Sequence, residues 1–95
     1  MPKRMQDLPE EYLSQQRTRT RAIGARVRVR RSQLELTQEQ LRARMEVEQV
    51  FVSRTQFSRI ENGEAQVSAM ELIALQKTLG VTFDWLLLGK HVAAA

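Results

Sequence analysis

Residues 53–63 read Ser-Arg-Thr-Gln-Phe-Ser-Arg-Ile-Glu-Asn-Gly and predict a short helix whose two ends are both marked in the sequence. Ser53 is of a residue type that caps the free amides of a first helical turn, and Gly63 can adopt the left-handed conformation that follows a last turn. Phe57 and Ile60 lie three residues apart, so they share one face of such a helix and are expected to point into a core. This helix is therefore expected to pack against the rest of the chain along one side.

The other faces of this helix carry side chains that suit the recognition of base edges. Arginine can make two hydrogen bonds to guanine, glutamine can make two to adenine, and serine and threonine can donate or accept. Such a helix suits the major groove of DNA, although in an arbitrary small protein the same side chains would more often form a solvated surface. The residues expected to read bases are Arg54, Thr55, Arg59, Gln56 and Ser58.

The composition narrows the class of protein. The chain has 95 residues, which suits one small domain, and a formal net charge of +4. It contains no cysteine, so a disulfide framework and a thiolate metal site are excluded. No apolar run is long enough to cross a bilayer, and no apolar stretch follows the basic residues near the N-terminus as it would in a secretory signal. We therefore expect a cytoplasmic protein that has no membrane partner.

Residues 17–34 hold seven arginines and no acidic residue. Charge distributed this unevenly suits a polyanionic partner, and a solvated surface is the alternative. The strict alternation of arginine with threonine or valine is typical of a strand, even of a basic hairpin. A helix is the other interpretation, since Ile23, Val27 and Leu34 would then form one stripe, but periodicity alone slightly favours the strand. The arginines are Arg17, Arg19, Arg21, Arg26, Arg28, Arg30 and Arg31.

Other helices are predicted from signals at their ends. Thr37 with Gln40, and Ser68 with Glu71, have the spacing of capping boxes at helix starts. At least four short helices are expected, and few residues are left for a sheet. The remaining end signals are Gly80 after a leucine stripe, Thr82 before residues 83–88, and Gly89 after them.

No set of residues predicts catalysis or metal binding. The single histidine, His91, has no carboxylate or cysteine at ligand spacing, and with no cysteine a convincing nucleophile–base set cannot be assembled. The sequence also lacks a glycine-rich phosphate loop. We therefore expect no enzyme activity, no metal and no cofactor.

Several segments, each weak alone, form an ordered set from residue 23 to residue 89. They are Ile23-Gly24-Ala25-Arg26-Val27-Arg28, Leu36-Thr37-Gln38-Glu39-Gln40-Leu41, Val52-Ser53, Phe57-Ser58-Arg59-Ile60-Glu61-Asn62-Gly63, and Leu72 through Leu79-Gly80-Val81. Through this set the chain resembles the lambda-repressor-like (Cro/C1-type, XRE-like) helix-turn-helix domains of bacterial and phage regulators. The resemblance implies an all-α domain of five helices, and with it a helix at residues 26–31. It also implies a bacterial or phage protein associated with the nucleoid.

The resemblance further implies roles for single residues. Gln38 matches a residue that begins the first helix of the motif and holds a DNA phosphate, and Asn62 lies in a segment that matches further phosphate contacts. Arg54, Thr55 and Arg59 match positions that reach base edges. The pair that matches an internal salt bridge is Arg31 and Glu61. The complete set of expected phosphate contacts is Gln38, Ser53, Asn62, Arg19 and Arg21.

Three features depart from the family pattern. The chain between Leu41 and Glu61 is longer by about five residues, where a turn of three to four is usual. The excess falls in residues 46–52, so the sequence does not fix the angle between the two helices. Val50 and Phe51 are expected to lie in the core beneath this turn, and contact with a second protein is the alternative. Arg42 stands where alanine is preferred, so its stem is expected to bend outward. Gln76 stands where a small apolar residue is usual and needs a hydrogen-bond partner if buried.

These patterns predict a DNA-binding transcriptional regulator, most simply a repressor that binds a two-fold-symmetric operator in double-stranded DNA as a homodimer. Residues 83–88 are richer in large apolar side chains than packing on one side needs, which suits a contact between subunits. One alternative is a protein-binding regulator, such as an antitoxin, and another is a ribbon-helix-helix dimer that uses residues 26–30 as a strand. We expect a partly mobile N-terminal extension at 1–20, a helix-turn-helix domain at 21–89, and a tail at 90–95.

Overall fold

The computed structural model describes residues 8–90, and the regular secondary structure within them is entirely helical. The expected all-α fold of five helices is therefore confirmed, and the ribbon-helix-helix alternative is wrong. Outside the described residues lie 1–7 of the expected N-terminal extension and 91–95 of the expected tail, including His91. The helices are α1 (Glu10–Gln33), α2 (Gln38–Val47), α3 (Arg54–Glu61), α4 (Ala69–Leu79) and α5 (Phe83–Leu88).

The arginine-rich segment belongs to one long helix. α1 is continuous over 24 residues, so the strand that periodicity slightly favoured is wrong and the helix implied by the resemblance is correct. A helix turns Gly24 and Val27 inward, where both are buried, and distributes the arginines over its other faces. Because α1 also runs through residue 20, the expected extension and the expected domain share one unbroken element.

The helix ends follow the local signals of the sequence. Thr37 and Ser68 each close a capping box with the residue three positions later, and Ser53 and Thr82 each accept a hydrogen bond from a backbone amide. Caps of this kind contribute about 1 kcal/mol each. Gln76, which replaces the small apolar residue usual in the family, has the hydrogen-bond partner that it needs. Its amide nitrogen donates to the Val81 carbonyl oxygen at 2.9 Å.

The core lies where the five helices meet. α3 contributes Phe57 and Ile60, and α2 contributes Leu41 and Met45, all of them buried. Burying a side chain of this size contributes about 1.5–3 kcal/mol, so these contacts dominate the stability of the fold. The complete buried cluster is Val27, Leu41, Met45, Val52, Phe57, Ile60, Ala74, Leu75, Leu79 and Leu86.

Residues 48–53 form the long turn between α2 and α3. Arg42 does not bend outward as expected, because its Nε donates to the Val52 carbonyl oxygen at 2.9 Å. Val50 packs against the core, as expected, and Val52 is buried, but Phe51 between them is 73% exposed. The expectation that Phe51 lies in the core is therefore wrong: its side chain is exposed to solvent, and its two neighbours supply the apolar contacts of the turn.

α1 crosses α3 at Gly24 with almost no space between the two backbones. A Cβ atom at Gly24 would lie 2.1 Å from the Ile60 carbonyl oxygen and 3.1 Å from that of Glu61. Glycine is the residue that permits so close an approach of two backbones. This contact sets the position of α3 on α1, and with it the direction in which the outer face of α3 points.

Candidate nucleic-acid interface

α3 presents one side to the core and the other to solvent. Phe57 and Ile60 have 0% and 1% of their surfaces exposed, whereas Arg54, Thr55 and Arg59 are exposed. The helix begins at a defined point, because the Ser53 hydroxyl oxygen accepts a hydrogen bond from the backbone amide of Gln56 at 3.1 Å. The three exposed side chains thus stand on a short helix that is clamped along its opposite side.

Glu61, the last residue of α3, ties three helices together. Its side chain is fully buried, and Arg31 of α1 donates to both carboxylate oxygens, at 2.7 and 3.0 Å. Gln38 of α2 donates to the same carboxylate at 2.9 Å, and Arg28 lies 3.6 Å from it.

The arginines keep this carboxylate ionised. Burial acts to raise the pKa of Glu61, but the hydrogen bonds from Arg31 and Gln38, together with the charges of Arg31 and Arg28, hold it below the ordinary value of glutamate. The hydrogen bond to Glu61 in turn raises the pKa of Arg31, against the effect of burial. Since removing one partner of a buried pair leaves the other unpaired, this contact is a strong constraint on where α3 lies.

Gln38 and Ser58 form a second part of the same network. Gln38 is the first residue of α2 and is half-buried. The Ser58 hydroxyl donates to its Oε1 at 3.1 Å, while its Nε2 donates to Glu61. Ser58 therefore faces α2 and is separated from Arg54, Thr55 and Arg59, with which the sequence grouped it.

Two further polar contacts lie at the C-terminal end of α3. Arg28 donates to the Asn62 side-chain oxygen at 2.8 Å, which leaves both N–H groups of that amide for other partners. Arg59 Nη2 lies 3.4 Å from the Glu64 carbonyl oxygen, a long contact in an exposed position. Neither Asn62 nor Arg59 is buried, so both can meet a ligand that lies along α3.

Comparison with protein families gives the same type of fold as the structure. A family profile described as a helix-turn-helix domain matches residues 22–85, which is more than half of the chain. The chain belongs to this helix-turn-helix family. The domain is of the XRE, lambda-repressor-like type, a DNA-binding family that is typically non-enzymatic. Comparison with curated proteins and with solved structures gave no match.

Within the helix-turn-helix domain, two arginines of α1 cap the ends of other helices. Arg26 donates to the Leu86 carbonyl oxygen at 3.1 Å, and Arg30 donates to that of Leu79 at 2.9 Å. Carbonyl groups at a helix C-terminus lack partners within the helix and attract positive charge. Sequence reasoning missed these roles, although a spacing of four residues on α1, together with glycines that end two later helices, is a signal that could have suggested them.

Arg19 and Arg21 lie on different sides of the helix-turn-helix domain. Two residues apart on a helix are separated by about 200°. Arg21 packs against Gly63, where its Cα would lie 2.8 Å from an added Cβ, whereas Arg19 borders a shallow cavity together with Leu72 and Leu87. The structure therefore brings Arg21, but not Arg19, to the C-terminal end of α3.

Residues 8–90 contain no cluster of histidine and carboxylate groups that could hold a metal ion. No helix among them is both long enough and apolar enough to cross a bilayer.

Proposed function

We propose that this chain is a sequence-specific DNA-binding transcriptional regulator that places α3 in the major groove. The observation that carries the proposal is the exposed row of Arg54, Thr55 and Arg59 on a helix whose other side is buried. In helix-turn-helix motifs the N-terminal part of the second helix contacts base edges, and arginine and threonine are suited to that contact. Gln56, half-buried beside them, completes the proposed base-reading set.

Residues at the ends of α2 and α3 supply the proposed phosphate contacts. Gln38 begins α2, Ser53 caps α3, and Asn62 follows it, so the three lie around the recognition helix. Arg21 adds a positive charge beside Gly63. Such contacts fix the register of the protein on DNA but carry no sequence information, and they weaken as salt is added.

We also propose that the protein acts as a repressor and binds a two-fold-symmetric operator as a homodimer. Phe83 and Leu88 of α5 support this, since they are 42% and 60% exposed and leave apolar surface beyond that used in the core. A two-fold contact brings the same surface of each subunit together. Leu88→Ser should shift sedimentation towards a monomer and lower affinity for a two-half-site DNA more than for a single half-site. Equal losses on both DNAs would contradict a contact through α5.

Selection of bound sites from a random DNA pool, read at two salt concentrations, tests base reading. The expected result is an enriched inverted repeat whose base preference persists at the higher salt. Arg59→Ala should weaken binding to that site by about 1–3 kcal/mol and relax the preference at one base position. If the wild type enriches no sequence, base reading by α3 is excluded; if Arg59→Ala keeps every preference, that residue has no part in it.

The two α1 arginines provide a matched test of the phosphate contacts. Arg21→Ala should weaken binding to all sequences and reduce the slope of log affinity against log salt by about one unit. Arg19→Ala removes the same charge from the opposite face of α1 and should change the slope much less. Equal slopes for the two variants would mean that general charge, and not a contact at Arg21, attracts the DNA.

A protein-binding regulator of the same fold, such as an antitoxin, is the second candidate. The observation that favours it is the exposure of Phe51 (73%) and Tyr12 (53%), two large side chains outside the core. The test is purification from the native host with wild type and with Phe51→Ser. A partner retained by the wild type and lost by the variant, at unchanged DNA affinity, would favour this function, and a partner retained by both would argue against the Phe51 surface.

A further inference from the structure

The Ser58 hydroxyl already donates its one hydrogen bond to another residue of the protein. The residue is half-buried, and its hydroxyl donates to Gln38 Oε1 at 3.1 Å. A serine has one O–H donor, so this hydrogen bond leaves no donor for a base edge, and the hydroxyl oxygen that could still accept is held towards Gln38. Its position in the sequence of α3 predicts a contact with a base, but in the structure its hydroxyl contacts α2.

Gln38 is held in one orientation by its two partners. Its Oε1 accepts from Ser58, and its Nε2 donates to the buried carboxylate of Glu61 at 2.9 Å. Rotating the amide by half a turn would bring its oxygen against that carboxylate, which is unfavourable. A primary amide carries two N–H groups, so one has no partner within residues 8–90. Its direction is set by the planar amide group.

We infer that Ser58 is a positioning residue that acts through Gln38 and does not read a base. The hydrogen bond from Ser58 holds the Gln38 amide so that its free N–H can donate to a phosphate oxygen, which only accepts hydrogen bonds. This inference rests on the proposed binding of DNA by α3. By this inference the exposed polar residues of α3 contact bases, whereas Ser58 orients the Gln38 side chain for its contact with a phosphate.

The two roles have different consequences for binding. A base contact specifies sequence, whereas a phosphate contact adds affinity without sequence information. If Ser58 acts through Gln38, Ser58→Ala lowers affinity for the selected site and for its single-base variants by the same factor. That factor is about 3- to 10-fold, the size of one neutral hydrogen bond. Ser58→Thr keeps the hydroxyl and should restore most of the loss.

The first experiment observes the hydrogen bond in the free protein. The side-chain amide protons of Gln38 are followed by NMR in the wild type, in Ser58→Ala and in Ser58→Thr. We expect the Nε2 proton that is bonded to Glu61 to exchange slowly with water in the wild type and in Ser58→Thr, and to exchange faster, with shifted resonances, in Ser58→Ala. An unchanged Gln38 amide in Ser58→Ala would overturn the inference, whatever the protein does with DNA.

The second experiment is a double-mutant cycle on DNA. Affinities of wild type, Ser58→Ala, Gln38→Ala and the double variant are measured on the selected site and on its single-base variants, with thermal unfolding as the control for folding. We expect the effect of Ser58→Ala to vanish once Gln38 is alanine. Two results would overturn the inference: losses that multiply in the double variant, or a changed base preference in Ser58→Ala.

The outcomes separate this inference from the function on which it rests. A wild type that selects no DNA sequence removes the proposed function, and the role of Ser58 on DNA falls with it. A wild type that selects a sequence, combined with independent effects of Ser58 and Gln38, leaves the function in place and removes only the positioning role.

Discussion

Replacing Gly24 with alanine sets helix propensity against packing. Alanine is favoured over glycine in a helix interior by about 1 kcal/mol, so local structure alone predicts that Gly24→Ala makes the protein more stable. The contact between α1 and α3 predicts the opposite, because the added Cβ would lie 2.1 Å from the Ile60 carbonyl oxygen. The sign of the change therefore decides which effect controls this position.

The size of the effect follows from the atoms that would collide. Cβ contacts below 3.0 Å are essentially never found, so the two helices must move until the 2.1 Å separation reaches at least that value. The atoms opposite Gly24 belong to a backbone and cannot rotate away. Overpacking costs about 1–3 kcal/mol, and a backbone contact belongs at the upper end of that range. After the gain in helix propensity is subtracted, we expect the free energy of unfolding to fall by about 2 kcal/mol, which corresponds to a Tm lower by roughly 8–16 °C.

Thermal and urea unfolding followed by circular dichroism measure this change. The single tryptophan, Trp85, packs against the core and supplies a second probe by fluorescence. Ala25→Gly is the control, since Ala25 is the exposed neighbour in the same helix and its replacement reports propensity alone. If Gly24→Ala raises the Tm by about as much as Ala25→Gly lowers it, the close approach of α1 to α3 is refuted.

Three further substitutions test other contacts. The pKa of Glu61 is lowered in the folded protein, so its ionised form stabilises the fold fully above the ordinary pKa of glutamate. This contribution is lost as the pH falls through the folded pKa. Glu61→Gln should therefore reduce the acid sensitivity of urea unfolding, and an identical pH profile would contradict the ion pair. Arg42→Met keeps the aliphatic stem but removes the hydrogen bond to the turn, so it should lower the free energy of unfolding by about 1 kcal/mol. Amide hydrogen exchange in residues 48–53 should become faster, and unchanged exchange would contradict the role of this hydrogen bond. Ser68→Ala should cost about 1 kcal/mol in thermal unfolding because it opens a capping box. Ser14→Ala, at an exposed position in the second turn of α1, should not, and equal effects would exclude the cap as the cause.

Helix ends and the inner face of α3 could be predicted because their determinants are local. A cap needs a serine or threonine and the backbone amides of the next turn, and those atoms are neighbours in sequence. Phe57 and Ile60 share a face through helical geometry alone. These elements required no knowledge of how distant segments meet.

The arginine-rich segment illustrates what local pattern cannot decide. Alternation of arginine and valine suits a strand, and the chain forms a helix because Gly24 and Val27 then reach α3 and the core. Arg26 and Arg30 find their acceptors about fifty to sixty residues away in sequence. Those carbonyl groups come within reach of α1 only when α4 and α5 pack against it. The resemblance to a family supplied the helix, but not these contacts.

The candidate site shows the same division. The exposed positions of Arg54, Thr55 and Arg59 agree with a reading of one helix in isolation. The partnership of Ser58 with Gln38 joins residues twenty positions apart, and it depends on how α2 packs on α3 across the long turn. A pattern along the chain places a residue on a face, but the neighbouring helix determines whether its polar atoms remain available.

The continuity of α1 has a mechanical consequence. Its first twelve residues, 10–21, precede the part matched by the family profile and extend the helix by roughly 18 Å at 1.5 Å per residue. Because the helix is unbroken at the junction, this segment extends from the domain as a continuation of α1, and its inner end packs beside the C-terminal end of α3. A spectroscopic label on the exposed Tyr12 position would therefore report how the whole body tilts when it meets its ligand.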